Sequence, residues 1–303
     1  MANIRQARID WGQLASLKLR ARTVADGVLS SVHRSNRHGA GVEFGGHRDY
    51  VPGDDLRFLD RRVLMRHGKL IVRLFETETE RALNLVVDAT GSMGYQSAQA
   101  QESKLSFAAL LAAALARVAL REGDIVSLDW LAGERCHPMA PMGGAATFDR
   151  LIDALENVQS SHGESIDGPR FEGLVDRLDR RGRRGAVVVF ISDLLDLPER
   201  AADGFARLAS RGRVPIALRV LDPMERNFSF KGPVRLRASE APLIVETDPE
   251  QVRERYLAAL RASKDRWSEP LLAVGGQVVD CTTTDDPVQV LLAVLQAAMG
   301  KLP

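Results

Sequence analysis

The chain has 303 residues, of which 45% are hydrophobic and 5% aromatic, a composition typical of globular proteins with aliphatic cores. Its 41 basic and 40 acidic residues nearly cancel, which argues against binding of nucleic acid or a membrane surface through overall charge. No apolar run reaches the roughly 18 residues typical of a transmembrane helix, and the N-terminus lacks the apolar centre of a signal peptide. Cys136 and Cys281 are far apart and follow no disulfide or metal-binding spacing, so we expect a cytoplasmic protein.

The first 80 residues differ in pattern from the rest of the chain. Residues 1–38 are a predicted N-terminal arm, with amphipathic helical spacing from residue 9 to residue 32. The following segment is rich in turn-forming residues and ends in a predicted strand at residues 70–75, after a hairpin turn at His67 and Gly68. We therefore predict an arm with a small β segment over residues 1–80 and a main domain over residues 81–303.

Strands and helices alternate along the main domain. The predicted strands are residues 83–88, 125–131, 186–191, 214–221 and 277–281. The predicted helices are residues 104–121, 148–158, 171–178, 198–211, 250–268 and 288–299. A predicted β-hairpin, an insertion near residues 224–247, interrupts the alternation. This pattern predicts an α/β fold with a doubly wound, mainly parallel sheet and helices on both faces.

Three oxygen-bearing side chains follow the first strand of the main domain at alternate positions, namely Asp88, Thr90 and Ser92. Gly91 allows a tight turn between them. One carboxylate and two hydroxyls on one loop are the hard oxygen ligands that Mg²⁺ prefers. The same residue types also cap helices, and a helix is predicted to begin near Ser103, so capping is the alternative interpretation.

A second predicted strand ends in the same way, at Ser192 and Asp193. If this strand lies next to the strand that ends at Asp88, both carboxylates meet at one edge of the sheet. Ligands of open α/β sheets bind outside the carboxyl ends of the strands. This coincidence favours a site for Mg²⁺ or Mn²⁺ over helix capping.

The order strand, D-x-T-x-S, helix, strand, S-D resembles the von Willebrand factor A fold and its metal-ion-dependent adhesion site. Further upstream, the chain resembles the bacterial domain-of-unknown-function family fifty-eight. The segments that carry this second resemblance are Gly41-Val42-Glu43-Phe44, Arg48-Asp49-Tyr50, residues 52–60 and residues 76–80. The family usually has a tryptophan after the aspartate of the 52–60 run, where this chain has Arg61.

The resemblance implies a set of metal ligands and a kind of partner. It assigns Asp88, Thr90, Ser92 and Asp193 to the metal, together with one hydroxyl from a loop between the two strands. Ser165 is the better placed residue for that hydroxyl, and Thr147 is the alternative. Genes of this family often lie beside those of MoxR-type AAA+ ATPases, so such an ATPase is the implied partner.

The residues favour binding over catalysis. A metal ion held by one or two carboxylates and by neutral hydroxyls keeps excess positive charge, and it can accept an acidic side chain from a client protein. The alternative is a Mg²⁺-dependent phosphoryl-transfer enzyme with Asp88 as the nucleophile. Such phosphatases have a second aspartate two residues later, where this chain has Thr90. The chain also lacks the common nucleotide-binding, hydrolase and zinc-protease motifs.

Overall fold

A computed structural model describes residues 16–38, 47–50, 63, 65, 68–73, 81–133, 136–161, 166–230, 232, 234–237 and 244–300. The chain divides into two compact units, one of residues 1–29 and 81–303 and the other of residues 30–80. The larger unit therefore resumes at Arg81, where the sequence predicts the main domain to begin. The described residues 16–29 belong to the larger unit as well.

The secondary structure follows the predicted alternation closely. The strands are β1 (His47–Asp49), β2 (Ile71–Arg73), β3 (Ala82–Asp88), β4 (Ile125–Leu131), β5 (Met139–Met142), β6 (Val187–Ser192), β7 (Val214–Leu221), β8 (Val234–Arg237), β9 (Ile244–Thr247) and β10 (Gln277–Thr282). The helices are α1 (Leu17–His38), α2 (Lys104–Arg121), α3 (Ala145–Glu156), α4 (Gly168–Arg181), α5 (Ala201–Ala206), α6 (Pro223–Asn227), α7 (Pro249–Ala273) and α8 (Pro287–Met299). Two 3₁₀ turns, Gly91–Gly94 and Arg207–Arg211, complete the described elements.

The larger unit is built on a six-stranded sheet with the order β10-β7-β6-β3-β4-β5. Neighbouring strands are parallel except for β4 and β5, which are antiparallel. This topology confirms the predicted mainly parallel α/β sheet. Strand β5 was not predicted, because it is short and contains Pro141, which a sheet tolerates only at an edge such as this one.

Helices cover both faces of this sheet. On one face, α2 packs against β3, β4 and α3, and nearly all of its residues are buried because alanine and leucine surround the helix axis. On the other face, α4, α5 and α7 enclose an aromatic cluster around Phe190 of β6. The ring centroid of Phe190 lies 6.0 Å from that of Phe171, 5.7 Å from that of Phe205 and 5.6 Å from that of Trp267. The sheet is therefore buried on both sides, and its functional groups must lie at its edges.

Some element boundaries differ from the predictions. The region predicted as one helix over residues 198–211 consists of the short α5 followed by a 3₁₀ turn. Helix α7 continues to Ala273, five residues beyond its predicted end. Pro270 lies inside α7, and the next residue, Leu271, is fully buried, so packing outweighs the helix-breaking preference of proline.

Helix α1 belongs to the larger unit as far as Leu29. Ala21, Val24, Ala25 and Val28 are buried, and Asp26 accepts a hydrogen bond from Arg121 of α2 at 2.8 Å. The apolar spacing predicted for residues 21–32 is therefore that of a real helix face, whereas residues 1–15 lie outside the described part.

The smaller unit contains the antiparallel pair β1 and β2, in register from His47 with Arg73 to Asp49 with Ile71. The predicted strand at residues 70–75 is thus observed in part, and Gly68 before it has a φ of +65°, as expected for a turn. Arg61 and most of the family-like segments lie outside the described residues. The predicted hairpin is observed as the antiparallel pair β8 and β9. Across the described helices, none combines the length and apolarity needed to cross a membrane.

Candidate metal-ion site at the carboxyl edge of the sheet

Strands β3 and β6 are parallel neighbours, with Val87 aligned to Ile191. Their carboxyl ends therefore place Asp88 and Asp193 at the same edge of the sheet, as the sequence predicts. Both carboxylates are fully buried. Because a buried carboxylate is costly unless it is paired or hydrogen bonded, the partners of these two groups define what the edge can do.

Each oxygen of Asp88 accepts one hydrogen bond. The backbone N–H of Thr90 donates to Oδ1 at 2.9 Å, and the Ser192 hydroxyl donates to Oδ2 at 2.6 Å. Burial, and then the negative charge of Asp193, raises the pKa of Asp88 to about 7, although the hydrogen bonds from Ser192 and Thr90 oppose this shift. Asp88 is therefore a carboxylate with too little compensating positive charge, and a nearby cation would stabilise its ionised form.

The hydroxyls of Thr90 and Ser92 are directed at each other, with Oγ1 and Oγ 3.2 Å apart. Thr90 precedes the Gly91–Gly94 turn but makes no side-chain capping hydrogen bond. Helix α2 is capped by Ser103, which accepts a hydrogen bond from the Ser106 N–H. The two hydroxyls are thus not used as helix caps, and the capping alternative does not account for them.

The second carboxylate, Asp193, is held by a lysine and by the backbone. Lys104 Nζ lies 2.9 Å from Asp193 Oδ2 and 2.7 Å from Glu225 Oε1, and the Leu195 N–H donates to Asp193 Oδ1 at 2.9 Å. Burial alone would lower the pKa of Lys104, but the charges of the two carboxylates outweigh it and the pKa is raised. Burial raises the pKa of Glu225, and the charge of Lys104 opposes this.

The end of β7 supplies another carboxylate, Asp222, which is also fully buried. It accepts hydrogen bonds from the Ser97 N–H at 2.9 Å and the Met224 N–H at 2.8 Å. The Asp222 N–H in turn donates to the Glu225 carboxylate at 3.0 Å, which completes a capping box at the start of α6. Among the described residues, the edge therefore brings together Asp88, Asp193, Asp222 and Glu225 with one lysine, Lys104.

Sequence reasoning missed Lys104 and Glu225, although one signal for Lys104 exists. It is the first residue of α2, where the helix dipole disfavours a cation. A lysine at the start of an otherwise apolar, buried helix indicates an acidic partner elsewhere in the fold. The sequence alone does not identify that partner, because Asp193 and Glu225 are 89 and 121 residues away.

The structure describes one of the two candidates for the loop hydroxyl, Thr147. Ser165 lies outside the described residues. Thr147 donates to the Gly143 carbonyl at 2.7 Å. A methyl group placed at Gly143 would lie 3.5 Å from Ile125, the first residue of β4. Thr147 is therefore at the amino edge of the sheet, opposite the Asp88 loop, because β5 returns the chain to that edge before α3 begins.

Two other serines lie beside the Asp88 loop. The Ser161 N–H donates to the Ala89 carbonyl at 2.9 Å, and its side chain is buried. The Ser160 hydroxyl is so close to Gly94 that an added methyl group there would lie 2.6 Å from it. The segment directly after α3 therefore supplies hydroxyls at the Asp88 loop, a placement that only the full topology reveals.

Two clefts lie at the loops of this edge. The first, of about 260 Å³, is lined by residues 130–133 after β4 and by Arg170 and Arg177 of α4. The second, of about 380 Å³, is lined by residues 194–198 after β6 and by side chains of α7. Leu194 and Asp196 in the second loop have positive φ angles of 58° and 50°, which are uncommon for residues other than glycine. The carboxyl edge thus offers concave surface close to the candidate metal ligands.

The residues at this edge fit a divalent ion of the magnesium type. Ligands at neighbouring corners of an octahedral Mg²⁺ shell lie about 3 Å apart, given bonds of about 2.1 Å, and the two loop hydroxyls are separated by 3.2 Å. The buried carboxylates outnumber the one ammonium group. Within the described residues, however, no three His, Cys, Asp or Glu side chains form a metal-binding group by themselves, so the hydroxyls of Thr90 and Ser92 are essential to the fit.

An α/β sheet of this order, with a D-x-T-x-S loop at its carboxyl edge, defines a von Willebrand factor A-like protein. More particularly, the chain belongs to the family described as protein of unknown function DUF58, which it matches over residues 46–266. This match confirms the resemblance found in the sequence.

Relatives and similar structures were found in other bacteria. The uncharacterized protein Rv1480 of Mycobacterium tuberculosis is 27% identical over 294 residues, covering 90% of this chain and 84% of that protein. The structure of BatB from Bacteroides thetaiotaomicron is 14% identical, covers 73% of this chain and 100% of its own, and has a TM-score of 0.48. A von Willebrand factor type A structure from Catenulispora acidiphila is 13% identical, covers 74% of this chain and 43% of its own, and has a TM-score of 0.39.

Proposed function

We propose that this protein is a metal-dependent, non-enzymatic interaction module that acts with a MoxR-type AAA+ ATPase in the assembly or maturation of other proteins. In this proposal Asp88, Thr90 and Ser92 bind Mg²⁺ or Mn²⁺ together with Asp193, and Ser165 is the expected loop ligand. The observation that carries the proposal is the pair of loop hydroxyls 3.2 Å apart, at the edge where the fully buried carboxylates of Asp88 and Asp193 meet.

The bound ion would supply a coordination position for an acidic side chain of a client protein. The chain's own residues orient the ligands, since Asp88 is fixed by Thr90 and Ser192, and Asp193 is fixed by Lys104. Ser92 is partly exposed at this edge, which leaves a route from solvent to the ligands. The clefts on either side offer room for the residues that flank such an acidic side chain.

The phosphoryl-transfer alternative finds less support at the same site. Its nucleophile would be Asp88, which Thr90 and Ser192 hold in place. The position two residues later, where a general acid is required, is Thr90. We therefore place binding ahead of catalysis.

The ATPase partner and the cytoplasmic location are further parts of the proposal. Membership of the DUF58 family supports the ATPase partner, because the resemblance to this family is what implies a MoxR-type ATPase. The two cysteines, Cys136 and Cys281, follow no disulfide spacing in the sequence, which supports a reducing compartment.

Calorimetric titration with Mg²⁺ and Mn²⁺ tests the proposal directly. We expect the wild-type chain to bind one ion and the variants Asp88→Ala and Thr90→Val to lose most of that binding. Thr147→Val is the matched control, because Thr147 is a buried threonine at the opposite edge of the sheet, and it should bind like wild type. Equal binding by the wild type and Asp88→Ala, or no binding by either, would contradict the proposal.

The partner is tested by mixing the purified chain with a MoxR-type ATPase and separating the mixture by size-exclusion chromatography. Co-elution in Mg²⁺ that is lost in EDTA or with Asp88→Ala supports a metal-dependent contact. Co-elution that persists in EDTA and with Asp88→Ala would place the contact elsewhere on the chain. A lack of co-elution in Mg²⁺ would argue against this partner.

A further inference from the structure

Lys104 is the least expected residue of the carboxyl edge. Its side chain has 0% solvent exposure, and its ammonium group touches the carboxylates of both Asp193 and Glu225. The ring of Tyr95 covers it, with Nζ 5.9 Å from the ring centroid. A fully buried ammonium group at the start of a helix is stable only when nearby carboxylates compensate both its desolvation and the helix dipole.

The same contacts restrict how Asp193 can meet a metal ion. One of its oxygens accepts from the Leu195 N–H, and the other is 2.9 Å from Lys104 Nζ. An ion that coordinates Asp193 must therefore share an oxygen with the Leu195 N–H or with the ammonium group, or displace one of these donors. The positive charge of Lys104 also repels a divalent ion anywhere among these side chains, because electrostatic interactions are strong inside a protein.

We propose that Lys104 is an internal counter-cation of this site, one that neutralises Asp193 and Glu225 and competes with the divalent ion. Lys104 thereby holds the metal affinity below what the carboxylates alone would give and makes binding of the ion readily reversible. This inference rests on the proposed metal-dependent function and concerns how that function is regulated. Lys104 is a positioning residue, since it acts on the metal only through Asp193 and Glu225.

If Lys104 competes with the ion, two variants should change the Mg²⁺ affinity in opposite directions. Lys104→Met removes the competing charge and should tighten Mg²⁺ binding by about tenfold or more. Glu225→Gln removes a negative charge and leaves the ammonium group to Asp193 alone, so it should weaken Mg²⁺ binding. If Lys104 served only to support the local structure, both variants would disturb the same contact and both would weaken binding.

Stability provides a second readout. In EDTA, Lys104→Met leaves two buried carboxylates without their cation, so its melting temperature should fall below that of wild type. Added Mg²⁺ should then raise the melting temperature of Lys104→Met more than that of wild type, because binding to the folded state alone stabilises it. Lys104→Arg keeps the charge and should remain close to wild type in Mg²⁺ affinity.

Lys264→Met is the matched control. Lys264 Nζ lies 2.7 Å from Asp280 Oδ2, a lysine–aspartate pair on α7 and β10. Its removal should leave Mg²⁺ affinity unchanged. All variants are measured as full chains by Mg²⁺ titration calorimetry, with circular dichroism to establish that they are folded.

The outcomes separate this inference from the function on which it rests. If neither the wild type nor any variant binds Mg²⁺, the proposed function fails and the inference fails with it. If the wild type binds Mg²⁺ but folded Lys104→Met binds no more tightly, the proposed function stands and the role of Lys104 is overturned. If Lys104→Met does not fold, the test rests on Glu225→Gln and Lys104→Arg. Unchanged or tighter Mg²⁺ binding by Glu225→Gln overturns the inference. Weaker Mg²⁺ binding by Glu225→Gln, together with wild-type Mg²⁺ affinity in Lys104→Arg, supports it.

Discussion

Two groups of charged side chains, one buried and the other partly exposed, lie at the same sheet with opposite charge balance. At the carboxyl edge, the ammonium group of Lys104 pairs with Asp193 and Glu225, and the negative charge of Asp193 also acts on Asp88. On β10, by contrast, Asp280 alone accepts from both Arg219 and Lys264, with distances of 3.1 Å to Arg219 Nη2 and 2.7 Å to Lys264 Nζ.

The pKa values of the two groups reflect this difference. Burial and Asp193 raise the pKa of Asp88, whereas at Asp280 burial is outweighed by hydrogen bonds from Arg219 and Lys264, which hold the pKa below its usual range. The cluster on β10 is complete without any added ion. The cluster at the carboxyl edge gains from one, which distinguishes a candidate binding site from a structural salt bridge.

The largest expected effect is a difference in pH dependence, measured in EDTA. Because the pKa of Asp88 rises from 3.8 unfolded to about 7 folded, the folded chain binds more protons between these values. Stability contributed by this group is therefore lost as pH rises from about 4 to 7 and is constant above that. At about 1.4 kcal/mol per pKa unit, the loss is about 4 kcal/mol.

Urea denaturation of the wild type and Asp88→Asn from pH 4 to pH 8 measures this effect. Asparagine does not ionise, so the variant should become more stable than wild type as the pH rises. If the stabilities of the wild type and Asp88→Asn changed in parallel with pH, the pKa of Asp88 would not be raised in the folded chain. Asp280→Asn should instead be less stable than wild type by a constant amount over this pH range, because the stability due to a depressed pKa is fully present above the ordinary aspartate pKa and is lost only at lower pH.

The next largest effect is expected from removing the single carboxylate of the β10 cluster. Asp280→Ala leaves the buried guanidinium of Arg219 without its partner, and breaking such a pair costs about 3 kcal/mol. Urea denaturation at pH 7 measures the loss, and Mg²⁺ titration should give wild-type affinity. The control is Asp149→Ala, which removes an exposed aspartate paired with Lys18 and should change stability little. Altered Mg²⁺ binding in Asp280→Ala would mean that the two clusters are not independent.

The comparison also shows what the sequence could predict. Strand ends are local features, so Asp88 and Asp193 were found from two short apolar runs that each end in an acidic residue. Their partners come from distant elements, and nothing near Asp193 in sequence points to Lys104 or Glu225. The partners of a buried charge are set by topology, which a local pattern does not contain.

Thr147 illustrates the same limit. Its candidacy assumed that the loop after β4 stays at the carboxyl edge. Strand β5 instead carries the chain back, pairing Met139 with Leu128 and Met142 with Val126. A four-residue strand that contains a proline gives almost no periodic signal, yet it decides that Thr147 lies at one edge and Ser160 at the other.

The smallest expected effect comes from the hydroxyl that supports Asp88. Ser192→Ala removes the hydrogen bond to Asp88 Oδ2 and the acceptor of the Leu194 N–H, both within buried surroundings. We expect a loss of about 1–2 kcal/mol in urea denaturation at pH 8, and weaker Mg²⁺ binding because Asp88 ionises less readily without this donor. The matched control is Ser127→Ala, whose hydroxyl donates to buried Asn84 at 2.7 Å between β3 and β4. It should lose similar stability and keep wild-type Mg²⁺ affinity, whereas an equal loss of affinity in both variants would mean that general stability, and not the Asp88 carboxylate, controls binding.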